Sequence, residues 1–206
     1  MITITNEDNM QLMARYPDKH FDLAIVDPPY GIGASEMTMG TGKNKKYHKG
    51  KNWDNEIPND KYFNELFRVS KNQIIWGGNY FNLPLIRGWI IWDKLLNKEI
   101  SFADGEMAWN SFNNVLKIIK LQYSGFLGAD KERIHPTQKP IKLYKLLLDK
   151  YAIEGNKILD THLGSGSIAI ACHDYGYDLT ACELDNEYYQ KALDRLNTHQ
   201  MQQSLF

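Results

Sequence analysis

Asp22-Leu23-Ala24-Ile25-Val26-Asp27-Pro28-Pro29-Tyr30 is a short apolar run stopped by two prolines. The run has the length and character of a buried strand. The prolines end it, because they cannot donate to a central ladder. Asp27 and Tyr30 therefore stand at a strand's carboxyl end, where open α/β sheets bind ligands. Pro28 and Pro29 have fixed φ angles and no N–H, so the backbone there offers carbonyl acceptors only. A carboxylate, rigid carbonyls and an aromatic ring suit a flat ligand that carries an NH2 group. A nucleic-acid base with an exocyclic amine answers that description. For these four residues alone, the plain alternative is a strand ending in an ordinary Pro-Pro turn.

Upstream, Ile2 to Thr5 alternates, with β-branched side chains, and forms a short strand. Met10, Leu12, Met13 and Tyr16, after Asp8, form a short helix, so the two strands make a parallel βαβ unit. Downstream, residues 31–57 are long and rich in Gly, Lys and Asn; loops of that length in a compact domain are functional or disordered. Lys43, Lys45, Lys46, Lys49 and Lys51 interleave there with Tyr47 and His48, a pattern suited to phosphates and base stacking. A lysine run by itself is more often a solvated loop. Its place directly after Tyr30 favours a mobile arm that contacts nucleic acid.

The bulk numbers agree with one soluble domain. The 206 residues suffice for a single well-buried core. Lys+Arg 24 against Asp+Glu 25 gives a net charge of -1, so a nucleic-acid partner needs a local basic patch. Cys172 and Cys182 lie in apolar surroundings, which fits a reduced compartment, and no His/Cys spacing calls for a metal. No run approaches the ~18 apolar residues of a membrane span, and the first residues lack the pattern of a signal peptide. The expectation is a cytoplasmic protein with no membrane partner.

Further along, 58–70 forms a helix with Pro58 near its first turn. Gln73 to Trp76 and Trp89 to Trp92 form strands. Glu106 to Phe112 and Val115 to Ile119 are expected to make a hairpin about Asn113-Asn114. His135-Pro136-Thr137-Gln138-Lys139-Pro140 opens a helix to about Tyr151. Asn156 to Asp160 is a buried strand, Gly164-Ser165-Gly166 begins the next helix, and Leu179 to Cys182 is a strand ending at Glu183. Asp185 caps a last helix to about Thr198, leaving 199–206 as a flexible tail.

Strand, glycine turn, helix, strand and acid are the parts of a mononucleotide half-site, with backbone N–H groups at the turn and an acid for ribose hydroxyls. Gly164, Gly166 and Ala169 also satisfy the G-x-G-x-x-A form of a dinucleotide fingerprint, so an NAD-dependent dehydrogenase is a rival. Against it, too little chain follows Glu183 for the usual further strands, no hydride-transfer partner is evident, and Asp27 to Tyr30 would be unexplained.

Together the motifs resemble those of the S-adenosylmethionine-dependent DNA amino-methyltransferases. Asp27-Pro28-Pro29-Tyr30 resembles the catalytic motif. Asp160-Thr161-His162-Leu163-Gly164-Ser165-Gly166-Ser167 resembles the cofactor turn, with Thr161 and His162 where Pro-Phe is usual, and His135 to Pro140 resembles the additional cofactor motif. The order, catalytic motif first, is that of the circularly permuted β class. The resemblance implies a Rossmann-like α/β fold with a mixed, mostly parallel seven-stranded sheet in the order 3-2-1-4-5-7-6, helices on both faces, and Ile2 to Thr5 as its third strand. It implies Asp27, Pro28, Pro29 and Tyr30 as the catalytic set. S-adenosylmethionine would be held by Asp8 at the adenine amine and Glu183 at the ribose. Asp160, Gly164, Ser165, Gly166, Thr137, Gln138 and Lys139 would surround the methionine moiety.

Asp at the first catalytic position points to N6 of adenine, whereas Ser is more usual for N4 of cytosine, the alternative. RNA or protein amide methylation is disfavoured because those relatives carry Asn there. An inactive nucleic-acid-binding module is a third reading, opposed by the intact Asp27, Tyr30 and glycines. Double-stranded DNA, reached by base flipping, is the implied partner, and a second copy of the chain is another. Larger relatives insert a recognition domain where this chain has only 117–134, so a short or relaxed target is expected. Gln202-Gln203-Ser204-Leu205-Phe206 resembles the bacterial sliding-clamp-binding motif at all but its second position, which implies the clamp as a further partner.

Overall fold

A computed structural model describes residues 1–33, 38–39, 46–47, 54, 56–96, 103–123 and 133–203. Eight strands form one sheet: β1 (Ile2–Thr5), β2 (Phe21–Val26), β5 (Ser70–Trp76), β6 (Trp89–Asp93), β7 (Gly105–Asn110), β8 (Lys117–Lys120), β9 (Lys157–Asp160) and β10 (Asp178–Cys182). Thr38–Met39 (β3) and Lys46–Tyr47 (β4) form a separate antiparallel pair. The helices are α1 (Asn9–Ala14), α2 (Asp60–Val69), α3 (Ile141–Tyr151), α4 (Ser167–Tyr175) and α5 (Asn186–Gln203). The sheet order is β1-β10-β9-β2-β5-β7-β6-β8. Its first seven positions reproduce the expected order, with β1 in the place foreseen for it. The eighth strand is an addition.

That addition corrects the expected hairpin. β7 is antiparallel to β5 on one side and to β6 on the other, so neither edge is open to the chain that follows it. After Asn113-Asn114 the chain passes β6 and pairs with its far edge in parallel, Ile91 opposite Ile118. Part of 117–134, where larger relatives are expected to insert a recognition domain, is thus an edge strand, anchored by the Trp92 indole N–H donating to the Leu121 carbonyl at 2.9 Å.

Period-two alternation sorts the sheet's side chains onto two faces. Leu23, Ile25, Ile74 and Trp76 pack with α3, α4 and α5. Ala24, Val26 and Ile75 pack with α1 and α2, joined by Phe21, which breaks the alternation at the start of β2. β2 and β9 are buried almost throughout, as central parallel strands must be. The helix starts differ in detail from expectation. Asn59 caps α2, so Pro58 precedes the helix, and Pro140 takes the cap position of α3. Gly176, at φ 73°, closes α4 in the left-handed conformation that glycine adopts without strain.

The last helix runs on to Gln203, past the expected end at Thr198, so the flexible tail does not begin at 199. Its extra turn is held to α4. His199 bonds Asp174 at 2.6 Å, and Gln200 lies 3.4 Å from the His173 ring nitrogen. Residues 204–206 lie outside the described residues.

Candidate active site

The carboxyl ends of β2, β9 and β10 and the loop before α3 open onto one cleft of about 870 Å³. It is lined by Asp27, Pro28, Pro29, Tyr30, Asp8, Thr137, Gln138, Lys139, Gly164, Ser165 and Glu183. Asp160, the last residue of β9, is buried beside it. The residues expected from the sequence thus meet at one cavity, except Gly166, which caps α4 against Ala192 and does not line it. Of the expected DNA-contacting residues, Lys43, Lys45, Lys49 and Lys51 lie outside the described residues, and Lys46 and Tyr47 are described only as backbone of β4.

At the β2 end, Tyr30 folds back so that its hydroxyl donates to Asp27 Oδ1 at 2.6 Å. Burial and the neighbouring Asp27 push the phenol well above its ordinary range, so it stays a donor. The Tyr30 ring stacks on Tyr80, with centroids 5.0 Å apart and planes 13° from parallel. Gly77, at φ 67°, lets the chain pass the ring, since a Cβ there would lie 2.2 Å from it. Asp54 fixes the turn from outside: its Oδ1 accepts the N–H groups of Tyr30 at 2.6 Å and Gly31 at 3.1 Å.

Asp27 Oδ2 meets the ammonium of Lys139 at 2.5 Å. The sequence motif places Lys139 with the methionine part of a cofactor; in the structure it lines the cleft and its ammonium pairs with Asp27. Lys139 also contacts Glu106 Oε2 at 3.0 Å, and Lys94 holds Glu106 Oε1 at 2.8 Å. Burial raises the Glu106 carboxyl, but Lys139 and Lys94 outweigh it and hold the group at about 2. Burial likewise raises Asp27, while Lys139 opposes the rise. Gln138 turns inward, its Oε1 accepting the Ile134 N–H at 3.0 Å, and Thr137 bonds the His135 ring at 3.1 Å.

On the other side of the cleft, Gly164 has φ 54°, and its N–H donates to Glu183 Oε2 at 2.8 Å. Glu183 Oε1 accepts the Asp185 N–H at 2.9 Å, so this acid staples the glycine turn to the start of α5. Asp8 Oδ1 caps α1, accepting from the N–H groups of Met10 and Gln11. Asp160 accepts only the His162 N–H, at 3.0 Å, and has no ion-pair partner among the described residues. Burial pushes it up to about 8. Thr161 and His162, which replace the usual Pro-Phe, form a polar cluster. Thr161 bonds the Tyr62 hydroxyl at 2.7 Å, and the His162 ring meets Tyr62 edge-on and Asn9 at 3.1 Å. Burial lowers the His162 imidazole to about 3, so it is neutral.

A family model described as DNA methylase (N6_N4_Mtase) matches residues 75–194, more than half of the chain. The chain belongs to that family. Among curated relatives of this DNA methylase, type II methyltransferase M.HpaI of Haemophilus parainfluenzae is 22% identical over 229 residues, covering 88% of this chain and 69% of that protein. Type II methyltransferase M2.LlaDCHI of Lactococcus lactis subsp. cremoris is 23% identical over 239 residues, covering 94% and 88%. The crystal structure of the M1.HpyAVI–SAM complex superposes with a TM-score of 0.65 at 19% identity, over 95% of this chain and 100% of that one. The cytosine-N4-specific PvuII DNA methyltransferase gives 0.60 at 12% identity, over 93% and 85%. Both likenesses are of fold.

Sequence motifs did not point to Glu106, Lys94, Asp54, Tyr62 or Tyr80. Lys94, directly after Asp93 at the end of β6, was the one signal within reach, because a charge at a strand's carboxyl end faces the ligand side of such a sheet.

Proposed function

We propose that this DNA methylase transfers the methyl group of S-adenosylmethionine to N6 of adenine in DNA. The observation that carries the reading is Asp27, presented with Tyr30 at the end of β2 and facing the cleft that the Gly164 turn, Glu183 and Asp8 also line.

The cleft residues fit that cofactor. Asp160 is a buried acid that no cation contacts among the described residues, Lys139 acting on it only from a distance, and an α-ammonium group would complete the site. Glu183 takes backbone N–H groups from Gly164, Asp185 and Leu184, and an ionised carboxylate, with about four lone-pair sites, keeps acceptor capacity for a ribose hydroxyl. Gly164, Ser165 and Gly166 would lie along the methionine moiety, and Asp8 at the adenine amine. Bound there, S-adenosylmethionine supplies an electrophilic methyl on sulfur.

The protein's own work lies on the base. An aromatic amine is a weak nucleophile because its lone pair is delocalised into the ring. Asp27 accepts one amine N–H and the Pro28 carbonyl the other, which favours a tetrahedral nitrogen with its lone pair directed out of the ring plane. Asp27 can do so while bonded to Tyr30 and Lys139, since a carboxylate has about four lone-pair sites. Methyl transfer is then mainly a matter of alignment: as the N–C bond forms, the S–C bonding pair would stay on sulfur, and the alkylated amine, now acidic, would lose its extra proton to solvent. The Tyr30–Tyr80 stack offers the extruded base an aromatic surface, worth ~1–3 kcal/mol per base against an unstacking cost of a few kcal/mol.

Incubating the protein with unmethylated DNA and methyl-labelled cofactor, then hydrolysing to nucleosides, tests the reading. N6-methyladenine is expected, and label in N4-methylcytosine alone would replace adenine with cytosine. The lysines from Lys43 to Lys51 are proposed as the DNA arm, so neutralising Lys45, Lys46 and Lys49 together should flatten the salt dependence of DNA binding. Gln202 to Phe206 is proposed to tether the enzyme to a sliding clamp, and a chain ending at Met201 should lose clamp binding.

A further inference from the structure

We propose that Lys139 is a positioning residue for Asp27, braced from behind by Glu106 and Lys94, and that it keeps Asp27 an ionised hydrogen-bond acceptor once the base fills the cleft. The proposal rests on the reading of Asp27 as the group that receives the substrate amine.

Four charged side chains alternate in sign along one line. Lys94 contacts Glu106 at 2.8 Å, Glu106 contacts Lys139 at 3.0 Å, and Lys139 contacts Asp27 at 2.5 Å. They come from four separate places: the ends of β2 and β6, β7, and the loop before α3. Lys139 is 3% exposed, so its ammonium is removed from water and its position is set by its two carboxylate partners. It also lies 5.2 Å from the centre of the Trp76 ring, whose face favours a cation. A lysine serving only to bind a cofactor carboxylate would not need two anions. Two anions would oppose binding a third negative group at the same ammonium.

The arrangement answers a specific problem. Asp27 must accept an N–H from a neutral base in a site that closes to water. A buried carboxyl tends to protonate there, and a protonated carboxyl donates where it should accept. The groups facing Asp27 are Tyr30 from its own turn, Lys139 from the loop before α3, Glu106 from β7, Tyr144 from α3 and Asp160 from the end of β9. Lys139 is the sole cation that touches Asp27 among the described residues. Glu106 works in two senses: it anchors Lys139, and its own charge disfavours ionised Asp27. The two substitutions Lys139→Met and Glu106→Gln should therefore move Asp27 in opposite directions.

The test reads Asp27 directly. The carboxyl carbon of Asp27 is followed by NMR against pH, its resonance assigned by its loss in Asp27→Asn. In Lys139→Met the ionisation should move up by about 1–3 pH units, and the acid limb of kcat should move with it. Lys139→Arg should restore most of the shift. Glu106→Gln should move the ionisation down. S-adenosylmethionine affinity, measured by calorimetry, should change less than about threefold in Lys139→Met. An unmoved Asp27 in a folded Lys139→Met protein would overturn the proposal, as would a loss confined to cofactor affinity. If Lys139→Met does not fold, Lys139→Gln, which keeps a polar side chain there but removes the charge, decides, and an unmoved Asp27 ionisation in it refutes the idea. A wild-type protein that methylates no DNA would remove the proposed reaction, while the titrations would still judge the Lys139–Asp27 link.

Discussion

β2 and β9 lie side by side, and each delivers an aspartate to the cleft region, yet the two carboxyl groups keep opposite company. Asp27 touches an ammonium and a phenol. Asp160 meets a single backbone N–H. Burial raises both, but Lys139 restrains Asp27, whereas Asp160 rises to about 8. The difference comes from one loop. The segment before α3 crosses the cleft and sets its lysine against the end of β2. One acid is thereby supplied with its counter-charge by the fold. The other would, on the proposed reading, be completed by a cationic ligand. On this view the base side of the cleft is preorganised, and the cofactor side is finished by what binds.

The largest expected effect breaks the base side. Asp27→Ala should lower the turnover of methyl transfer by ~10³-fold, in the range for a positioned acid–base group, with cofactor affinity changed only a few-fold. Radiolabel transfer and calorimetry measure the two, and near-normal turnover would remove Asp27 from the mechanism. Next comes the cofactor side. Asp160→Asn should weaken S-adenosylmethionine binding by ~10–100-fold, the worth of a charge-assisted hydrogen bond, while the acid limb of kcat set by Asp27 stays in place. A moved limb would mean that the two acids titrate as one unit.

A sharper measurement follows from the same contrast. Because Asp160 is largely protonated near neutral pH, binding a cationic group beside it should expel a proton. Calorimetry in buffers of different ionisation enthalpy should report a release approaching one proton for wild type near pH 7, and much less for Asp160→Asn. Equal release by both proteins would locate the proton elsewhere.

The same two regions differ in how far the sequence disclosed them. The cofactor side is local. Strand, glycine turn, helix, strand and acid occupy Lys157 to Glu183 in one run, and spacing alone placed Gly164, Gly166 and Glu183 correctly around a turn. The base side is assembled over distance. Asp27 was visible because two prolines mark the end of its strand. Glu106 and Lys94 reach it through the placement of β7 between β5 and β6, which no short motif records. The same placement defeated the Asn113-Asn114 hairpin: the turn signal was sound, but both edges of β7 were already paired. Lys139 was found by its motif, but its pairing with Asp27 was not, because a motif specifies a loop and not the direction of each side chain within it. The C-terminal helix was ended early because an apolar pattern fades near His199, where polar contacts to Asp174 and His173 take over.

The smallest expected effect is on stability in the absence of cofactor, and it isolates Asp160 from catalysis altogether. Its carboxyl has an ordinary value of 3.8 and is raised to about 8 in the fold. A raised folded value means that the native state holds the proton more tightly than the unfolded chain. That contribution to stability is fully present below the unfolded value and is lost as pH rises through the folded one. Asn at this position is nearly isosteric with the protonated acid and can still accept the His162 N–H, but it does not titrate. Asp160→Asn should therefore gain stability relative to wild type as pH increases from about 4 to about 8, by at most about 1.4 kcal/mol per pH unit. Asp27 should show a shallower trend, because Lys139 opposes the effect of its burial. Urea unfolding of wild type, Asp160→Asn and Asp27→Asn at several pH values across that window measures the differences. If the Asp160→Asn and wild-type stabilities run parallel with pH, Asp160 is ionised in the free protein. The contrast between the two strand ends would then have to be sought in their geometry and not in their charge.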